Sequence, residues 1–234
     1  MVAISSMRAN HGARAHNLGD SKVNKKQAHA IHGGLTQTTK MPCQSYSLPT
    51  LACKTGFKMR AIAGSICASC YAEKGNYRKY ANNIEPVQHA RLVSITDKLW
   101  VDAVVVSIGT DKYFRWHDSG DIQDIDHLEK IAEVAKRTPH CRHWLPTREY
   151  GIVSAFTAQY DVPANLIIRL SAMFTDKPVT VPASLQNIPG IAVSNVHSKK
   201  AIGTACNAPK QNGECRNCRA CWNRKVPAVS YSIH

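Results

Sequence analysis

The chain has 234 residues, of which 44% are hydrophobic, and it carries a net charge of +14. No apolar run approaches the roughly 20 residues of a membrane-spanning helix, and the first residues lack the apolar core of a signal peptide. We therefore expect neither a membrane protein nor a secreted one. In the reducing cytoplasm, the nine cysteines are better explained by metal binding than by disulfides.

The positive charge indicates a class of partner. Nucleic acid is the commonest partner of so basic a protein, and phosphorylated metabolites or acidic proteins are the alternatives. The start of the chain is itself basic, since residues 1–40 hold six Lys or Arg and one acid. Because this segment has no sustained apolar periodicity, we predict a basic flexible arm.

Residues 41–234 are expected to form a single α/β domain with two cysteine-rich loops. Apolar spacing predicts helices over residues 84–100, 124–136 and 149–156, and Asp124 can cap the second of them. Residues 102–108 fit either a helix end or a strand. The predicted strands are 113–117, 142–145, 165–172, 189–195 and a final one within 226–234. This alternation predicts a parallel sheet, either open or arranged as a partial (β/α) barrel.

Polar side chains follow several of these strands. Because the carboxyl ends of parallel strands meet at one edge of a sheet, such residues are expected to form the rim of an active site. The sharpest example is the loop Asp118-Ser119-Gly120-Asp121. Its aspartates also suit a plainer role as turn and helix caps. The other strand-end residues are Thr147, Arg148, Ser171, Asn195 and His197.

The C-terminal cysteine loop (206–221) holds Cys206, Cys215, Cys218 and Cys221 in a C-x8-C-x2-C-x2-C pattern. Two-residue gaps let neighbouring thiolates turn toward one centre. Tetrahedral zinc and [4Fe–4S] clusters both accept four cysteines from such a loop, so the spacing does not choose between them.

The N-terminal cysteine loop (43–70) holds Cys43, Cys53, Cys67 and Cys70, of which only the last two are closely spaced. Three of these thiolates on a [4Fe–4S] cluster would leave one iron open to a substrate or cofactor. Four would close it, which is typical of structural or electron-transfer clusters. The choice depends on Cys43, and the sequence leaves it open. A thioredoxin-type redox pair at Cys67 and Cys70 is the alternative.

The motifs together resemble a known family. The segments KMPCQSYSLP, CKTG, GSICASCYAEKGNY, FRWHDSGD, WLPTRE and RLSAM, followed by the terminal cysteine pattern, are similar to the phage "gene product 88" family over about residues 40–225. More distantly, the layout resembles radical-SAM iron–sulfur enzymes, although thirteen residues separate Cys53 from Cys67 where that superfamily has three.

The radical-SAM resemblance implies a fold and a set of sites. It implies a partial (β/α) barrel, a three-ligand cluster on Cys53, Cys67 and Cys70, and an auxiliary cluster on the C-terminal cysteines. The loop from Asp118 to Asp121 would bind the amino group of S-adenosylmethionine. Arg169 and Ser171 would approach its carboxylate or ribose.

The leading hypothesis is therefore a phage-type, radical-SAM-like iron–sulfur protein that modifies a nucleotide or a nucleic acid in the host cytoplasm. Such a protein would need an electron donor as a partner. One alternative is a zinc-stabilised nucleic-acid-binding protein without catalysis. The other is a closed-cluster protein of electron transfer or redox sensing.

Overall fold

The computed structural model describes residues 23–233; residues 1–22 of the predicted arm lie outside the described part. The described residues contain one eight-stranded sheet. Its strands are β1 (Thr36–Gln37), β2 (Gln44–Tyr46), β3 (Tyr113–Trp116), β4 (Arg142–Thr147), β5 (Leu166–Ser171), β6 (Ile191–His197), β7 (Thr204–Ala205) and β8 (Ala228–Ser232). No helix in this part of the chain is long and apolar enough to span a membrane.

The strand order is β1-β2-β3-β4-β5-β6-β8-β7, and only the β1–β2 pair is antiparallel. From β2 to β6 the parallel strands follow one another in chain order, and β8 continues the series. All their carboxyl ends consequently lie along one edge, which we call the carboxyl edge. This arrangement confirms the predicted α/β fold with a mostly parallel, barrel-like open sheet.

Helices cover one face of the sheet. The α-helices are α1 (Lys25–His32), α2 (Lys54–Arg60), α3 (Gly75–Lys79), α4 (Ala81–Ser94), α5 (Trp100–Ile108), α6 (Ile125–Arg137) and α7 (Tyr150–Thr157). Apolar side chains of α5, α6 and α7 pack in one core with alternate strand residues such as Phe114, Leu145 and Ile168. Asp124 caps α6 as predicted, since its side chain accepts a hydrogen bond from the His127 amide at 2.8 Å.

The other strand residues form what we call the inner face of the sheet. Trp144, Ile167, Ala192 and Val229 on this face make a second apolar cluster with residues of the two cysteine loops, among them Trp222. The inner face is thus covered by the two cysteine-rich segments, which include the short helix α2, rather than by α5, α6 and α7. This leaves room for a cavity between the sheet and the loops.

Two elements differ from the sequence predictions. The helix predicted over residues 84–100 is two helices, α4 and α5, and the ambiguous residues 102–108 belong to α5. Part of the predicted arm is also folded, because Ala28 of α1 and Val23 just before this helix pack against Ala103 of α5. The eight residues of α1 are mostly polar, so its stability comes from this packing and from its Asn24 cap rather than from a periodic apolar face.

Candidate metal and cofactor site

A cavity of about 1010 Å³ lies over the inner face at the carboxyl edge. Both cysteine loops contribute to its wall. The cysteines that line it are Cys53, Cys67 and Cys70 from the N-terminal loop and Cys206, Cys215 and Cys221 from the C-terminal loop. All nine cysteines of the chain are free thiols. The carboxyl edge therefore brings the two sequence-predicted groups to opposite parts of one site.

Hydrogen bonds from the strand ends hold the N-terminal cysteine loop in place. After β4, the Glu149 carboxylate accepts from the backbone amide of Thr55 at 2.7 Å. After β5, the carbonyl of Met173 accepts from the amide of Ile66 at 2.9 Å. After β3, the Asp118 carboxylate accepts from the Tyr77 hydroxyl at 2.7 Å. Three successive strand ends thus fix the segments on either side of the cysteines.

Cys53 and Cys67 lie beside Gly56, and Cys70 is their neighbour. A side chain at position 56 would place its Cβ 3.0 Å from the Cys53 Cβ and 3.6 Å from the Cys67 sulfur. Burial raises the pKa of Cys53 and Cys67, and each thiol lies near enough to Cys70 for that neighbour to raise its pKa further. We call these three residues the N-terminal thiol triad.

Cys43 lies apart from this triad. It is buried in the apolar cluster of the inner face that also contains Cys221 and Trp222, with Cys215 packed against it. Burial raises its pKa to about 12, and Cys215 is the cysteine that adds to this effect. The structure therefore places Cys43 with the C-terminal cysteines, although the sequence order grouped it with the N-terminal ones.

The C-terminal cysteine loop is tied to the start of the domain and to β8. The Cys215 amide donates to the Lys40 carbonyl at 2.8 Å, and the Cys206 amide donates to the Ser230 carbonyl at 2.8 Å. The Cys221 sulfur lies 3.2 Å from the Tyr231 hydroxyl. Burial raises the pKa of Cys215 and Cys221, and the nearby Cys206 raises the pKa of both further. Cys218 makes a smaller contribution to the raised pKa of Cys215. The four cysteines are therefore neighbours, with Cys218 the exposed member.

Arg169 has a different position from the one the resemblance implied. Its side chain is fully buried, and its guanidinium donates to the backbone carbonyls of Cys221 at 3.0 Å and Ala220 at 2.9 Å. It also reaches the carbonyls of Asn223, Val226 and Val193. Arg169 thus holds the C-terminal loop against the sheet. Ser171, two residues further along β5, does line the cavity.

The loop from Asp118 to Asp121 lies at the carboxyl edge as predicted, and Ser119, Gly120 and Asp121 line the cavity. Gly120 has a φ of +77°, and a Cβ there would lie 2.5 Å from the Leu48 Cβ, so only glycine fits. The Ser119 hydroxyl donates to the Leu48 carbonyl at 2.6 Å. These contacts join the end of β3 to the segment after β2.

Asp121 is a buried carboxylate at the centre of this edge. It accepts from the Thr147 hydroxyl at 2.6 Å and from the Arg148 amide at 2.9 Å. Burial nevertheless raises its pKa to about 6, against the opposing effect of these hydrogen bonds. Asp118 differs, because its Oδ1 is buried and has no hydrogen-bond partner within residues 23–233. That oxygen is an acceptor still free to bind a ligand.

The spacing of the thiol groups limits the kind of metal centre that they can hold. Among the described residues, no three His, Cys, Asp or Glu side chains are close enough to hold one metal ion. A [4Fe–4S] cluster is larger than a single ion and spreads its thiolate ligands further apart. The N-terminal thiol triad, arranged on the wall of a large cavity, has the donor chemistry and the space for such a cluster.

Arg115 and Tyr71 carried little signal in the sequence, whereas Arg148 belongs to the predicted strand-end rim. Arg115 and Arg148 both line the cavity, and Arg148 lowers the pKa of Cys53 and Cys67 against the larger effect of burial. Tyr71 donates to the Asp118 carbonyl. Arg115 belongs to the motif FRWHDSGD and Tyr71 to the motif GSICASCYAEKGNY. The aromatic and basic residues of these two motifs were the sequence signal that could have identified them as site residues.

The fold and the site together define an α/β protein with a cysteine-lined cavity at the carboxyl ends of its parallel strands. The family model described as Gene product 88 matches residues 14–224, and the chain belongs to this family. The resemblance to that family is thereby confirmed, whereas the more distant similarity to radical-SAM enzymes stays a prediction. No curated protein and no solved structure matches the chain significantly.

Proposed function

We propose that the chain is a radical-SAM-like iron–sulfur protein, in which Cys53, Cys67 and Cys70 hold a [4Fe–4S] cluster through three thiolates. The observation that carries this proposal is the division of the cysteines. Cys53 and Cys67 lie beside Gly56 at the carboxyl edge with Cys70 as their near neighbour, while Cys43 is buried on the side of the C-terminal group. Three ligands leave one iron open, as an enzyme requires and an electron-transfer cluster does not.

When bound, such a cluster supplies the electron for reductive cleavage of S-adenosylmethionine. The residues of this chain would position that cofactor. Of the two aspartates in the loop that the resemblance assigns to its ammonium group, Asp121 lines the cavity, and Ser171 offers a hydroxyl on the same wall. The anchored N-terminal loop covers the cavity and would limit the access of water. Arg169 supports the C-terminal loop and is not assigned to the cofactor.

A second centre is proposed for Cys206, Cys215, Cys218 and Cys221. These thiols are neighbours, and their loop is fixed by Arg169 and by β8. Four thiolates can hold zinc or an iron–sulfur cluster, and the larger cluster fits better because no three potential ligands in the described part lie close enough around one ion. A cluster here would pass electrons from an external donor. Metal analysis of the purified protein distinguishes these two forms.

The substrate is proposed to be a nucleotide or a nucleic acid. The net charge of +14 supports this class, as do Lys40, Arg60 and Lys74 on the cavity wall. Binding to a nucleic acid should weaken steeply with salt, because each neutralised phosphate releases counterions. Replacing the loop residues Arg216 and Arg219 with alanine should lower the salt dependence. Absence of binding at low salt would leave a free nucleotide as the substrate class.

The reduced protein, prepared without oxygen, tests the function itself. Titration with S-adenosylmethionine should shift the paramagnetic spectrum of the cluster, and 5′-deoxyadenosine should be released. A cluster whose spectrum does not respond would indicate electron transfer or redox sensing instead. A colourless protein containing zinc alone would support the non-catalytic nucleic-acid-binding alternative.

A further inference from the structure

We propose that the cavity contains a subsite for an oxyanion, a carboxylate or phosphate group of a small-molecule substrate, formed by Arg115 with Trp144 and His117. The inference rests on the proposed function in taking this cavity as the substrate site. It goes beyond that function by naming the chemical group, an oxyanion, through which the substrate would bind in the cavity. The inference is supported by three independent observations, which concern the hydrogen bonds of Arg115, the polar atoms beside it and the charge of the cavity wall.

The first observation is the unused binding capacity of Arg115. This residue lies on β3 and lines the cavity. Its Nη1 contacts the Met41 sulfur at 3.6 Å, and its Nη2 lies 3.3 Å from the Tyr71 hydroxyl, both long contacts to neutral acceptors. Its Nε is buried and has no partner among the described residues. The planar fork of a guanidinium fits two oxygens of a carboxylate or phosphate at once.

The second observation is a pair of unpartnered polar groups beside Arg115. The Arg115 guanidinium lies 4.5 Å from the centre of the Trp144 ring, and the Trp144 indole N–H is buried without an acceptor in the described part. His117, one residue after β3, packs its ring edge-on against His127 with the ring centres 5.3 Å apart. Both of its ring nitrogens are buried and unpartnered in the described part, and it also lines the cavity. Buried donors left without acceptors are costly, so a ligand that supplies acceptors is favoured.

His117 is held in a conformation that serves a site better than a core. Its φ is +51°, an unfavourable value for a residue with a side chain, and it is 3% exposed. Burial keeps its pKa well below the usual range, so the ring is neutral and offers one donor and one acceptor. It can therefore bind a hydroxyl or a second oxygen of a ligand whose anion is held by Arg115.

The third observation is the charge of the cavity wall. Its cationic side chains are Lys40, Arg60, Lys74, Arg115 and Arg148. Among the described residues of the wall, Asp121 is the carboxylate, and both of its oxygens already accept hydrogen bonds from the protein. The wall therefore favours an anion. Compensation of cluster charge is the competing role for Arg115, since this residue lowers the pKa of Cys215 and Cys221 against the larger effect of burial.

Calorimetric titration of the purified protein with inorganic phosphate and, separately, with acetate tests the subsite. We expect saturable binding of at least one probe, and the stronger one identifies the oxyanion. Arg115→Gln should weaken binding by at least about tenfold. Trp144→Phe, which keeps the ring and removes the N–H, should weaken it by about threefold and is informative even where the arginine variant folds poorly. Arg142→Gln is the matched control, because Arg142 is exposed and lies outside the cavity wall.

Three results would overturn the subsite: no saturable binding of either probe, equal losses in Arg115→Gln and Arg142→Gln, or unchanged affinity in both cavity variants. Iron content measured on the same samples tests the competing role of Arg115 in compensating cluster charge. That role predicts that Arg115→Gln loses metal without losing affinity for the anion. Anion binding in a protein that never responds to S-adenosylmethionine would keep the subsite and end the radical-SAM proposal. A response to S-adenosylmethionine without anion binding would keep the radical-SAM proposal and end the subsite.

Discussion

The Glu149 carboxylate accepts two hydrogen bonds from Thr55, one from the backbone amide and one from the side-chain hydroxyl, each 2.7 Å long. Glu149 follows β4 and is buried, whereas Thr55 lies in the first turn of α2, two residues after Cys53. This contact spans most of the carboxyl edge. It links the position of the first cysteine of the triad to the end of a central strand.

We predict that Glu149→Gln destabilises the N-terminal cysteine loop. A charged acceptor of two hydrogen bonds is replaced by a neutral amide, so the free energy of unfolding should fall by about 1.5–3 kcal/mol. Iron bound after anaerobic reconstitution should fall as well. Urea denaturation and iron analysis measure the two effects. The control is Glu73→Gln, because Glu73 pairs with Arg60 at the surface and such pairs contribute little. Equal stability in both variants would contradict the anchoring role.

Arg169→Met should release the C-terminal cysteine loop. The substitution keeps apolar volume but leaves the carbonyls of Cys221, Ala220 and neighbouring residues without their buried donor. We expect a loss of about 3 kcal/mol in unfolding free energy and faster proteolysis within residues 206–226. Limited proteolysis followed by mass spectrometry locates the cleavage. Arg142→Met provides the exposed control. Cleavage elsewhere, with an intact loop, would be inconsistent with this role.

Acid should destabilise the fold through its buried histidines. Burial lowers the pKa of His127 to about 3 and that of His143 to about 3 from the ordinary value of 6.5. These rings stay neutral when folded but take up protons when unfolded. The free energy of unfolding is therefore unaffected by these histidines above pH 6.5. It falls as the pH drops from 6.5 toward 3, by about 1.4 kcal/mol per pH unit for each histidine.

The variant His127→Phe removes one of these two histidines and so isolates its contribution to acid sensitivity. Unfolding free energies measured in urea between pH 7 and pH 5 should fall less steeply in this variant than in the wild type. His140→Gln, which changes an exposed histidine, should keep the wild-type slope. Parallel slopes for wild type and His127→Phe would mean that His127 does not contribute to acid sensitivity.

The main features of the sheet were predictable from local pattern. Apolar runs such as the one within residues 165–172 fit buried strands, and they appear as β5 and its neighbours. Residues 102–108 were ambiguous, because a short apolar run fits a helix or a strand equally well. Packing against α1 and α6 decides this case in favour of α5, and that contact is set by the tertiary fold.

The candidate site was predictable in its residue types but not in its grouping. Cysteine spacing identified the C-terminal set, and the strand-end rule placed Asp121 and Ser171 correctly. The positions of Cys43 and Arg169 depend on which face of a strand or loop meets the C-terminal segment. That segment comes some 170 residues after Cys43 in the chain, so sequence proximity gives no information about their contact.

Cys218→Ser should lower the metal content by one site while the core stays intact. Cys218 is the exposed member of the C-terminal group, so its replacement removes a ligand without creating a cavity. Because metal binding is coupled to folding, the loop should also become more sensitive to protease. Elemental analysis gives the stoichiometry. Cys141→Ser is the reference variant, since Cys141 is buried in the helix-side core. Unchanged stoichiometry in Cys218→Ser would rule out a four-thiolate centre.

The central claim, a three-thiolate cluster on Cys53, Cys67 and Cys70, is tested most directly by comparing Cys43→Ala with Cys67→Ala. Each protein is reconstituted without oxygen, reduced and titrated with S-adenosylmethionine while its paramagnetic spectrum is recorded. We predict that Cys43→Ala keeps the N-terminal cluster and its spectral response, and that Cys67→Ala loses both. Loss of the N-terminal cluster in Cys43→Ala would show that Cys43 is a fourth ligand, and the open-iron account would then be contradicted.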